Sequence, residues 1–250
     1  MPGKTTQRLD ELLVARGLFA SRSRASDAVK RGTVRVSDAV VTKAGQLIDP
    51  AATLSVDDPA QGYVSRAALK LIAGLDHFGI EVSGKTVLDL GASTGGFTQV
   101  ALERGAASVF AVDVGHGQLH PSLASDPRVT SIENKNAREL SVADLGGAAI
   151  DLIVCDVSFI SLTLALPPAL DLAAPGAAGV FLVKPQFEAG RDAIGKGGLL
   201  KDPAEAPRTA ERLRLWLDAQ PGWTATGLTP SPIEGGDGNK EFLLGGKKSI

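Results

Sequence analysis

The run Thr86-Val87-Leu88-Asp89-Leu90 leads at once into Gly91-Ala92-Ser93-Thr94-Gly95-Gly96, and Phe97, Val100 and Ala101 then recur at helical spacing up to Gly105. An apolar strand that turns through glycines into a helix belongs inside a layered sheet, because both of its faces need cover. Further runs follow at Ser108–Asp113, Val129–Ile132, Ile150–Val154 and Val180–Val183, with late ones near 223–228 and 241–244. The spacing predicts a helix over 203–217, where Leu213, Trp216 and Leu217 share a face. Strands alternating with helical segments predict an α/β, Rossmann-like fold whose parallel sheet is covered on both sides.

The carboxyl ends of such strands line the ligand crevice. Asp89 with the glycine turn, Asp113, Asp156 and Lys184 all stand at run ends. Gly91, Gly95 and Gly96 allow a tight turn and a close approach of backbone to ligand. The spacing is not Gly-x-Gly-x-x-Gly and no Gly-Lys-Ser/Thr follows, which argues against a phosphate loop. Asp89 would repel a phosphate and welcome a cationic ligand end. Asp113 is placed to accept hydrogen bonds from ribose hydroxyls, a feature that alone would also suit NAD. Together, strand-Asp-x-Gly-x-x-x-Gly and strand-Asp resemble the S-adenosylmethionine-binding methyltransferases.

The N-terminal segment reads differently. Leu9, Leu12 and Leu13 mark a short amphipathic helix stopped by Gly17. Ser21 or Ser23 can cap a second helix carrying Ala25, Ala28 and Val29, which Gly32 ends. Val34 and Val36 alternate with polar residues, and Val40-Val41 follow a turn. This helix–helix–strand–strand order resembles the alpha-L RNA-binding module. Lys4, Arg8, Arg16, Arg22, Arg24, Lys30, Arg31, Arg35 and Lys43 face only Asp10, Glu11, Asp27 and Asp38, a surplus of +5 on a chain of net charge −2. A basic head on an acidic body suits a polyanion. Arg24 and Arg31, seven apart, share a helix face, and Arg8, Arg22, Arg24, Lys30 and Arg31 are the expected RNA contacts. Asp49-Pro50 and the stretch Asp57–Gly62 carry breakers, so the expected domains are a small α+β RNA-binding domain over 1–60 and a second domain over 61–250.

Four more segments sharpen the likeness: Tyr63-Val64-Ser65-Arg66-Ala67-Ala68-Leu69-Lys70-Leu71, Cys155-Asp156-Val157-Ser158-Phe159-Ile160-Ser161, Leu182-Val183-Lys184-Pro185-Gln186-Phe187-Glu188 and Gly238-Asn239-Lys240-Glu241-Phe242. With the glycine turn and Asp113-Val114-Gly115-His116-Gly117-Gln118-Leu119, they resemble the TlyA, or haemolysin-A-like, family over nearly the whole chain. That resemblance implies a ribosomal RNA ribose 2′-O-methyltransferase that uses S-adenosylmethionine. It implies a Lys70, Asp156, Lys184, Glu241 tetrad. Lys184 is the expected base, Lys70 disfavours the Lys184 ammonium or steadies the developing alkoxide, and the two carboxylates orient the lysines. It also implies a cofactor set of Asp89, Gly91, Ala92, Ser93, Thr94, Gly95, Gly96, Phe97, Thr98, Asp113 and Asn136. The chain departs from the family at Tyr63, where a tryptophan is usual.

One cysteine and three histidines leave no disulfide, and no metal is expected. No apolar run reaches a membrane span, since Pro167, Pro168, Asp171 and Pro175 interrupt the richest stretch. Met1-Pro2-Gly3-Lys4 opens on no visible signal peptide, so a cytoplasmic protein is the expectation, and the family resemblance implies ribosomal RNA or ribosomal subunits as its partner. Two competing functions remain at this level: a membrane-active haemolysin, and a non-enzymatic RNA-binding protein on a methyltransferase fold.

Overall fold

In the computed structural model, residues 6–236 and 238–250 are described. Lys4 and the other N-terminal residues read above lie outside them. The chain divides into two compact units, 1–62 and 63–250.

In the first unit, β1 (Gln7–Arg8) pairs antiparallel with β4 (Leu47–Ile48). Strand β2 (Val34–Val36) is flanked antiparallel by β3 (Ala39–Val40) and β5 (Leu54–Val56). Helix α1 (Leu9–Ala15) packs on α2 (Arg22–Lys30), and Leu9, Leu13, Ala25, Ala28, Val29 and Val34 close the core. Ser21 is the cap of α2, accepting from the Arg24 amide, and Gly17 and Gly32 stop the helices at positive φ. The short strands β1, β4 and β5 were not legible as runs.

Several of the expected RNA contacts are engaged within this unit. Arg31 donates from both terminal guanidinium nitrogens to Asp58, whose side chain is 2% exposed, and from Nε to Asp27 at 2.9 Å. Burial raises the Asp58 carboxyl, but the Arg31 hydrogen bonds, the Ala60 amide and the charges of Arg31 and Arg24 together outweigh it, and the net shift is down. Arg31 is therefore held by two carboxylates of its own unit. Arg24 donates to the Ala60 carbonyl at 3.1 Å. Arg8 and Arg22 share the buried Asp10 and the neighbouring Glu11, while Lys30 is exposed.

The second unit is built on a seven-stranded sheet ordered β11-β12-β10-β9-β6-β7-β8. The strands are β6 (Thr86–Leu90), β7 (Ser108–Val112), β8 (Val129–Ile132), β9 (Ile150–Cys155), β10 (Ala173–Val183), β11 (Trp223–Pro230) and β12 (Phe242–Lys248). The helices are α3 (Ala68–Phe78), α4 (Gly96–Glu103), α5 (Pro121–Ala124), α6 (Leu162–Ala165), α7 (Pro167–Leu172), α8 (Pro185–Glu188) and α9 (Glu205–Asp218). Alternate residues of the central strands feed two cores: Leu88, Leu90, Ile153 and Cys155 face one side, and Val87, Leu152 and Val154 the other. This two-sided burial is why those strands read as unbroken apolar runs.

The sheet is not wholly parallel, as the sequence suggested. Strand β12 runs antiparallel to both β10 and β11. The expected strand Val180–Val183 is only the end of β10, which slips register between Ala173 and Ala178. The helix expected from Pro203 begins at Glu205.

Candidate active site

Four strand ends meet at one edge. Leu90 pairs with both Val112 and Cys155, and Cys155 pairs with Phe181. The residues that follow are Gly91, Asp113 and Asp156, with Lys184 just beyond β10. Because β12 is reversed, its first residue, Phe242, lies against Val183, which brings Glu241 to the same edge. Lys70 arrives from α3: a Cβ on Gly74 would meet Val180 of β10 at 2.7 Å, so the helix is seated hard on the sheet, and Lys70 lies one turn earlier.

A cavity of about 160 Å³ opens at this edge, lined by Ser65, Ala67, Gly91, Ala92, Ser93, Thr94, Gly96, Phe97, Asp156, Ser158 and Lys184. Gly91 has φ 79°, and a Cβ there would stand 2.8 Å from the Asp156 carbonyl oxygen. The glycine thus serves the packing of turn against strand end as well as any ligand. Ser93 holds φ 47° and donates its amide to Asp113 at 2.8 Å, while Asp113 also accepts from the Gly115 amide at 2.7 Å. Asn136 caps a short turn by accepting from the Arg138 amide.

Asp89 is fully buried. One oxygen accepts from the Thr98 hydroxyl at 2.6 Å, and the other has no hydrogen-bond partner among the described residues. Burial, with the Asp156 and Asp113 charges behind it, pushes this carboxyl up to about 7 against the Thr98 hydrogen bond. An unmatched acid next to a cavity walled by bare glycine backbone fits a ligand with a cationic end, such as the sulfonium and amino groups of S-adenosylmethionine. The adjoining Cys155 thiol is pushed up to about 12 by burial and is no nucleophile.

The four tetrad residues are brought together as two ion pairs. Lys70 Nζ lies 2.5 Å from Glu241, and both side chains are buried. Lys184 Nζ lies 2.6 Å from Asp156 Oδ1, outside hydrogen-bond geometry, and donates to Ser158 Oγ at 2.7 Å. Each lysine of the four thus has a carboxylate beside it, Glu241 for Lys70 and Asp156 for Lys184. Of the expected cofactor residues, Gly91 to Thr94, Gly96 and Phe97 line the cavity. Thr98 does not, being fully buried behind Asp89, and Gly95 faces Leu119 and Leu123. Asp89, Asp113 and Asn136 are likewise outside its lining. Ser65 and Ser158 line the cavity without having been singled out. The only sequence signal for them was their place in segments quoted for resemblance.

Residues 63–248 match the FtsJ-like methyltransferase family and residues 7–54 the S4 domain. The chain is 45% identical over 239 residues to the 16S/23S rRNA (cytidine-2′-O)-methyltransferase TlyA of Mycobacterium tuberculosis, covering 95% of this chain and 88% of that one. This chain belongs to the TlyA family of FtsJ-like methyltransferases. Hemolysin A of Brachyspira hyodysenteriae, also TlyA-like, is 39% identical over 237 residues, 94% of this chain and 98% of that protein. A solved structure of a hemolysin-named protein from Streptococcus thermophilus superposes with a TM-score of 0.75 at 39% identity, covering 99% and 90% of the two chains. Names within the TlyA family thus divide between RNA methylation and haemolysis. Among the described residues no helix is long and apolar enough to cross a membrane.

Proposed function

We propose that this protein transfers a methyl group from S-adenosylmethionine to a ribose 2′-hydroxyl of ribosomal RNA, in line and with Lys184 as general base. The observation that carries the reading is the Lys184–Asp156 pair on the wall of a glycine-lined cavity, with Lys70–Glu241 at the adjacent strand end. When bound, the cofactor supplies an electrophilic methyl group and departs as a neutral thioether.

The chain's own groups would do the rest. Bare backbone at Gly91 and Gly96 lets the ligand lie close. Asp89 and Asp156 would balance a positive charge in the cavity, and such a charge would compete with Lys184 for Asp156. The neutral Lys184 amine accepts the ribose proton as the oxygen attacks, work that adds about 10²–10⁴-fold. Lys70, held by Glu241, stands by the developing alkoxide. The second unit would bind cofactor through Ala92 to Phe97, Asp113 and Asn136. The S4 unit would hold RNA phosphates with Arg8, Arg22, Arg24 and Lys30, placing the protein in the cytoplasm with the ribosomes.

The test is methyl transfer from labelled cofactor to purified ribosomal subunits, followed by mapping of blocked 2′-hydroxyls. Lys184→Ala should abolish transfer while cofactor binding by calorimetry stays within a few-fold. A variant retaining more than about a tenth of the rate would remove Lys184 from the role of base.

A further inference from the structure

Lys184 Nζ has two partners of different kinds. Asp156 sits 2.6 Å away but off the hydrogen-bonding direction, so it attracts the nitrogen without aiming it. Ser158 Oγ, at 2.7 Å, is the one hydrogen-bond acceptor of this nitrogen among the described residues, and it lines the same cavity. An amine nitrogen is tetrahedral, so the direction of one N–H limits where its lone pair can point. A base whose lone pair rotates freely loses the alignment on which proton transfer in the transition state depends.

The loop that carries Ser158 is itself held. The next residue, Phe159, is 89% exposed and adopts φ 64°, a left-handed conformation that non-glycine residues rarely take. One side of its ring meets Phe187 of α8, the helix that follows Lys184, with centroids 5.0 Å apart. From α8, Glu188 also accepts from the Ser161 hydroxyl at 2.6 Å and the Leu162 amide at 2.8 Å. The serine and the lysine are thus fixed in one frame.

We propose that Ser158 is a positioning residue for methyl transfer: its hydroxyl takes one N–H of Lys184 and turns the amine lone pair toward the ribose 2′-hydroxyl. This rests on Lys184 being the base. As the 2′-oxygen bonds to the methyl carbon, the carbon–sulfur electron pair stays with the departing thioether. The hydroxyl proton passes to the lone pair, and Lys184 becomes an ammonium again.

The experiment uses the full chain, labelled S-adenosylmethionine and ribosomal subunits. Ser158→Ala should lower the single-turnover rate about 10–100-fold, as loss of alignment does. The RNA KM, the cofactor Kd and the melting temperature should stay near the wild type. The pH profile should keep its shape and drop uniformly, because aim and not protonation is lost. Ser158→Thr, which keeps the hydroxyl, should restore the rate to within a few-fold. A wild-type rate in Ser158→Ala, a Thr variant no better than Ala, or a loss carried by KM or cofactor Kd would overturn the inference. Lys184→Ala, run alongside, separates the two readings. If it is active, the base assignment fails. If it is dead while Ser158→Ala is normal, only the role of Ser158 fails.

Discussion

At neutral pH the buried carboxyl of Asp89 is about half ionised, since burial lifts it to about 7. An unfolded chain releases this proton near the ordinary carboxylate value, whereas the folded chain keeps it. Between those two values the folded state binds more protons, so this residue's contribution to stability falls as pH rises and levels off above about 7. Asp89→Asn removes the buried charge. The variant should be more stable than the wild type at pH 8, by roughly 2–4 kcal/mol, and nearly equal to it at pH 4, as read by thermal unfolding without cofactor. Cofactor affinity should move the other way, because a cationic ligand loses its counter-charge. Equal melting curves at both pH values would show that the carboxyl is not destabilising. Gly91→Ala sets a Cβ against the Asp156 carbonyl at a positive φ, and should destabilise by about 1–3 kcal/mol. Its strain falls on the strand end that holds Lys184, so activity should drop with stability. The acids and Lys184 were legible because they end apolar runs. Ser158 was not, because nothing in a lone serine marks the lysine it will meet 26 residues later.

Helix α3 is the element on which half the tetrad depends. Gly74 lets it sit against Val180 and Leu243, and Lys70 projects one turn earlier. Gly74→Ala gains about 1 kcal/mol of helix propensity but costs about 1–3 kcal/mol of overpacking, so net stability should fall. The displaced helix should carry Lys70 off Glu241. We expect the methylation rate to fall more than cofactor affinity, measured by single-turnover kinetics and calorimetry; equal losses in both would show that the helix only supports the fold. The same element shows where a sequence stops being readable. Strands β6, β7 and β9 announce themselves as apolar runs because both faces are buried. The first half of β10, Ala173–Gly179, is made of alanine, proline and glycine and has no such signature. The direction of β12 is a property of pairing, which no residue in it encodes.

Over the whole molecule, the basic surplus of the N-terminal unit divides into two populations. Arg31 is clamped by Asp58 and Asp27, whereas Lys30 lies at the surface and Arg22, 56% exposed, reaches Asp10 and Glu11 from the surface. Arg31→Ala should lower the melting temperature, because it strands the buried Asp58 charge at a cost of about 3–5 kcal/mol. Arg22→Gln with Lys30→Gln should lower melting only slightly, since the exposed Arg22 pairs are worth about 0–1 kcal/mol each, and should weaken RNA binding. The salt slope should fall by about one for each phosphate no longer neutralised. Binding measured across a salt series decides it: wild-type affinity and slope in the double variant would remove this face from RNA recognition. Charge counting found the module's polarity, but only the fold shows which cations are already neutralised by their own chain.

The reversed strand β12 sets an order of assembly. It is synthesised after β10 and β11 yet lies between them, so β11 joins the sheet only by way of β12. Glu241 reaches Lys70 in the same event. A ribosome still translating the residues of β12 therefore carries a half-made enzyme whose sheet is open at one side and whose buried lysine has no counter-ion. The protein would thus be able to act on the machine that makes it only after β12 has closed the sheet like a bolt.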